Sequence, residues 1–162
     1  MQELLGNIEA AMRAYFGSDQ RRIGHALQVT GFAEEILKSE KGDRLVVVAA
    51  ALLHDIGIRE AERKYGSSAG NLQEQEGPPV AREILTGLGL AAAVIDEVCE
   101  IIASHHSPGE VDTDNFRVIW DADWLVNLGD EFDLTDIDKT FGMIAKIFQT
   151  VTGKSIAERI YL

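Results

Sequence analysis

The strongest constraint on this chain is a set of histidines and acids written into the apolar stripes of its helices. Apolar residues recur at helical spacing along most of the sequence, and strand-type alternation is scarce. His25 shares a helix face with Val29, Phe32 and Ile36. His54 lies on the face of Val47, Ala50 and Ala51, and His105 follows Val94, Val98, Ile101 and Ile102. Asp121 is in phase with Val118, Leu125 and Leu128, and Asp55 stands one step around from His54. Side chains so placed turn toward a core. Packing these stripes together also packs the polar groups together, and burying one unpaired costs about 2–7 kcal/mol, more for a charge. They must be solvated, hydrogen-bonded or metal-bound. For a histidine on an apolar face, a satisfied core residue is the commoner reading. A carboxylate is almost never fully buried without a partner or a metal.

The periodicity predicts helices at about 2–16, 21–40, 43–56, 77–87, 91–104, 115–128, 136–149 and 154–161, hence an all-α fold. Gly42, Gly57, Gly87, Gly129 and Gly153 fall at the seams. Pro78 and Pro79 suit the first turn of the helix at 77–87, where a missing N–H does no harm. "DTDN" at 112–115 offers N-caps for the next helix. "KYGSSAGNLQEQEG" at 64–77 is polar and Gly/Ser-rich, and reads as a mobile loop or lid. The run "VVVAALL" is β-prone, but its helical flanks predict a buried helix. A chain of 162 residues without a linker or repeat is expected to form a single domain, 1–162.

The single Cys99 excludes a disulfide framework and a thiolate-rich zinc site. With 15 basic and 27 acidic residues the net charge is −12, which disfavours a nucleic-acid polymer as partner. No apolar run approaches the about 18 residues of a membrane span, and the acid-bearing "MQELLGNIEAAMRAYF" is unlike a signal peptide. The expectation is a cytoplasmic protein without a membrane partner. The last two predicted helices carry apolar outer positions compatible with a homodimer.

His25, then "HD" at 54–55, then an Asp within "VIWDADWLVNLG" (118–129), resembles the H…HD…D signature of the HD-domain metal-dependent phosphohydrolases. "RRIGHALQVTGFAEEIL", "AALLHDIGIREAERKYG", "QEQEGPPVAREIL", "IIASHHSP" and "TVTGKSIAERI" extend the likeness over most of 21–160. The resemblance implies an HD-domain helical bundle with a central metal site, ligated by His25, His54, Asp55 and Asp121. Asp123 lies off the apolar phase, so Asp121 takes the place of the last ligand. Two histidines and two aspartates suit Mn²⁺, Fe²⁺, Ni²⁺, Co²⁺ or Mg²⁺ better than a closed zinc site. The implied activity is hydrolysis of a nucleotide or other small phosphoester by a metal-activated water. Arg22 and Arg59 are candidates to stabilise phosphoryl charge.

Two departures matter. Many HD enzymes carry a lysine where this chain has Ile58, and two-metal members have a histidine where it reads "QEQEG". The expectation is one metal, with Glu76 and His105 in catalysis or behind the ligands, and His106 facing solvent or substrate. Two other functions are compatible with the resemblance. One is a di-iron HD-fold oxygenase; the other is a regulatory protein that binds metal and nucleotide without turnover.

Overall fold

A computed structural model describes all 162 residues as nine helices and no strand. They are α1 (Gln2–Phe16), α2 (Gln20–Leu37), α3 (Arg44–Leu53), α4 (Ile58–Tyr65), α5 (Gly70–Gly87), α6 (Ala92–Ser104), α7 (Asp114–Glu131), α8 (Ile137–Ile147) and α9 (Val151–Tyr161). The all-α expectation holds.

The bundle is organised around α3. Every residue from Val46 to Leu53 is buried, so this helix is apolar all round, as a helix enclosed by others must be. α1, α2, α6 and α7 pack against it, α5 backs α6, and α8 and α9 close over α7. One contiguous cluster of 35 buried residues fills the space between them. β-branched valines fit here because enclosure on every side outweighs a propensity difference of a few tenths of a kcal/mol.

Local chemistry starts the helices. Asp19 accepts from the Arg22 N–H, Asp43 from those of Leu45 and Val46, and Thr113 from that of Phe116. Asp136 and Thr150 do the same for α8 and α9. Each such cap is worth about 1 kcal/mol.

The expected boundaries need two corrections. The helix at 43–56 ends at Leu53, so His54 and Asp55 occupy a turn, and a separate helix, α4, follows. Gly66, at φ 66°, stops α4 in the left-handed region that glycine tolerates best. The second correction concerns 64–77, expected as a mobile loop. Helix α5 begins at Gly70, which puts Pro78 and Pro79 in its interior, where each removes one backbone donor. Polar residues order this stretch through tertiary contacts. Gln73 donates to the Ser68 carbonyl at 2.7 Å, and Glu74 accepts from the Ser107 backbone N–H and hydroxyl at 2.9 and 2.6 Å.

No helix is long and apolar enough to cross a membrane.

Candidate metal centre

His54 and His105 end up in the same local arrangement. Each is the C-cap residue of its helix, α3 or α6. Each sets its Nδ1 2.7 Å from the carbonyl three residues back, Ala51 or Ile102. A carbonyl only accepts, so Nδ1 carries a hydrogen and Nε2 is the nitrogen that can offer a lone pair when the imidazole is neutral. One of the unpaired carbonyls at each helix end is satisfied by the same bond. The negative ends of α3 and α6 also favour a cation nearby.

The freed nitrogens meet other ligand atoms. His25 Nε2, from α2, is 3.1 Å from His54 Nε2 and 3.1 Å from Asp123 Oδ1. Asp55 Oδ2 is 3.3 Å from His25 Nε2 and 3.4 Å from His54 Nε2. Asp123 Oδ1 is 3.3 Å from His54 Nε2. His54 is wholly buried, and Asp55 and Asp123 are nearly so. On its other side Asp55 presents Oδ1 to His105 Nε2 at 3.3 Å. That nitrogen is buried and makes no hydrogen bond. His25, His54 and Asp55 form one group whose ligand atoms could hold an ion, and Asp55, His105 and His106 form another.

The electrostatics are those of a cation site. Burial opposes charge on His54, but Asp55 and Asp123 outweigh it and carry the imidazole up to about 10. Burial likewise works against the Asp55 carboxylate, yet His54 and the neighbouring His105 imidazole bring it down to about 2. For Asp123, His54 and the bonds from both imidazoles overcome burial and hold the carboxyl well below its ordinary range. A proton on His54 supplies the positive charge that the two carboxylates demand. An unpartnered buried nitrogen, two imidazole nitrogens facing each other and two ionised carboxylates suit a divalent cation with borderline or hard preferences.

The sequence-derived site is redistributed. His25, His54 and Asp55 converge as expected, but Asp121 is not with them. It is fully buried on the opposite side of α7, where it accepts from the Gln149 N–H at 2.8 Å, the Thr150 N–H at 2.8 Å and the Thr150 hydroxyl at 2.6 Å. Burial pushes its carboxyl up, against the pull of these bonds. Two residues along a helix turn the side chain by about 200°. Asp121 therefore holds the start of α9, and Asp123 faces α2 and α3. The apolar phase identified a buried acid but not its partner, because α7 is packed on both sides. Asn127, one turn on, donates to Asp123 Oδ1 at 3.0 Å and is the local signal that was available.

The remaining candidates divide. His105 lies in the cluster. Glu76 is buried but bound by Lys64 at 2.6 Å and by the Tyr65 hydroxyl at 3.3 Å, outside either ligand group. Arg59 turns away to the Tyr15 carbonyl, with its guanidinium 5.7 Å from the Tyr15 ring centroid. Arg22 reaches the site's edge, where Asp19 and Glu62 hold it at 3.0 and 2.9 Å. His106, expected at solvent or substrate, is exposed and lines the cleft, with its Nε2 2.9 Å from Gln73 Oε1.

His25, Asp55, His106 and Asp123 line a cleft of about 570 Å³ together with residues of α2, α7 and the start of α5. The HD domain family model matches residues 22–128, a span that takes in all of them. The chain belongs to the HD-domain family. A predicted HD superfamily hydrolase from an uncultured Thermotogales bacterium has a similar crystal structure, at 28% identity and a TM-score of 0.67. The likeness covers 99% of this HD-domain chain and 84% of the other. No curated protein matches the chain.

Proposed function

We propose that this HD-domain protein is a metal-dependent phosphohydrolase acting on a nucleotide or another small phosphoester. The observation that carries the reading is the convergence of His25, His54, Asp55 and Asp123 beside an open cleft that three of them line, with the orphaned His105 Nε2 next to them. The name of the similar Thermotogales protein supports a hydrolase. The cleft volume falls within the range of small-molecule sites.

His25, His54, Asp55 and Asp123 would hold the ion, one of Mn²⁺, Fe²⁺, Co²⁺, Ni²⁺ or Mg²⁺. When bound, a divalent cation neutralises charge on a phosphoryl oxygen and makes water a stronger acid. The chain's own residues supply the rest. The Ala51 and Ile102 carbonyls orient the two buried imidazoles, and Asn127 orients Asp123. Gln73, with its amide N–H₂ on Ser68, presents Oε1 to His106 Nε2–H, so His106 Nδ1 keeps its lone pair. Burial lowers the His106 pKa, which favours that neutral form.

Elemental analysis of the purified protein, followed by a phosphate-release screen over nucleotides and sugar phosphates, tests the proposal. Bound transition metal with no phosphate released from any compound would favour the regulatory reading. A second reading has its own observation: Asp55 turns one oxygen to His25 and His54 and the other to His105, as a carboxylate between two ions does. Two irons per chain with oxygen uptake would move the assignment to the oxygenase class.

A further inference from the structure

We propose that Arg21 is the residue that receives the substrate's phosphoryl group, an inference that rests on the phosphohydrolase reading. Charge accounting around the cleft leads to it. The cleft is lined by two permanently cationic side chains, Arg21 and Arg22, and by no lysine. Arg22 is already engaged: it bridges the α2 cap Asp19 and Glu62 of α4. A guanidinium held by two carboxylates has little charge left for a ligand, and its geometry makes it a brace between α2 and α4. Arg59 is bound to Tyr15 and does not line the cleft. Position 58 is an apolar isoleucine that also lines the cleft and offers an anion nothing.

Arg21 is left. It is exposed, forms no ion pair within the chain, and stands one turn before His25 on the same helix. Side chains so spaced are neighbours, with Cβ atoms about 5–6 Å apart. The first turn of α2 adds its positive dipole end to the same lip. The α7 side of the cleft has the reverse character. Asp130 and Glu131 line it at the end of α7, whose last turn has no basic residue. A dianion entering the cleft is attracted to the α2 lip and repelled from the α7 lip. Its oxygens therefore lie between the ion position and Arg21, and a planar guanidinium can take two of them at once.

The test uses the Mn²⁺-loaded full chain and inorganic phosphate as the probe, with affinity read by titration calorimetry and bound Mn²⁺ by elemental analysis. Arg21→Ala should weaken phosphate binding on the order of tenfold and raise KM for a phosphomonoester, with Mn²⁺ content unchanged. Arg21→Lys should recover part of the affinity, because it restores charge without the fork. Arg22→Ala should lower the melting temperature through loss of the α2–α4 brace and change phosphate affinity less than Arg21→Ala. If Arg21→Ala binds phosphate like the wild type, the assignment is wrong and the phosphohydrolase reading stands. If the Mn²⁺-loaded wild type neither binds phosphate nor releases it from any phosphoester, the phosphohydrolase reading itself is overturned.

Discussion

Asp121 and Asp123 carry the same functional group two positions apart and do unrelated work. Asp123→Ala and Asp55→Ala should each abolish bound metal while leaving the helical content intact, because the bundle core is aliphatic; near-stoichiometric metal in either variant would remove that residue from the ligand set. Asp121→Ala should do the opposite. It should keep its metal and lose about 3 kcal/mol in chemical denaturation, since backbone donors at 149 and 150 are left unpaired under α9. Sequence phase placed both acids on α7 and found the burial of Asp121. It gave the metal to Asp121 on phase alone, whereas what distinguishes the two is the neighbour each meets, and α9 is remote in the chain.

His54 gives the pH behaviour. Its imidazole is raised from 6.5 to about 10 in the metal-free protein. The stability this contributes is fully present below pH 6.5 and is lost as pH rises toward 10. The melting temperature of metal-free protein should therefore fall across that window. Metal binding must displace the proton, so metal affinity should rise with pH over the same interval. A metal affinity that is flat between pH 7 and 9 would contradict the protonated cluster.

Among the elements, the contact between the His54–Asp55 turn and α5 sets the cleft's width. A Cβ on Gly57 would lie 2.5 Å from the Gly77 backbone nitrogen and 2.6 Å from the Gln73 carbonyl oxygen. Backbone cannot yield as a side-chain tip can. Gly57→Ala should push α5 outward, cost about 1–3 kcal/mol, and weaken the group formed by Asp55, His105 and His106 more than the group at His25. Metal titration can show this. In the wild type one tight ion is expected, with a weaker second one, because Asp123 adds a carboxylate to the first group while the second has only Asp55, which it shares with the first. Two equally tight ions would refute that ranking. The helices that carry His25, His54 and His105 were legible because their apolar stripes are long. Helix α4, of eight residues, buries Ile58 and Ala61, too short a stripe to read. The start of α5 was read as a loop because its order comes from Gln73 and Glu74 gripping residues far along the chain.

For the molecule as a whole, the net charge of −12 and the acidic α7 lip bear on ligand choice. Nucleoside monophosphates should be hydrolysed in preference to triphosphates, and added salt should narrow the difference by screening the lip. A triphosphate preference that persists at low salt would show that the cleft has more cationic capacity than Arg21 supplies. Helix α3 has a consequence in the time domain. Enclosed from Val46 to Leu53, it has no face from which to fray, so its amide protons should exchange with solvent only when the entire bundle opens. The polar connection at 66–69 and the first turn of α5 should exchange far sooner. His54 and Asp55 hang from the slow end of that range, and His106 is held by the fast end. An ion in the site would then be anchored on one side by the last part of the molecule to open, and uncovered on the other by one of the first.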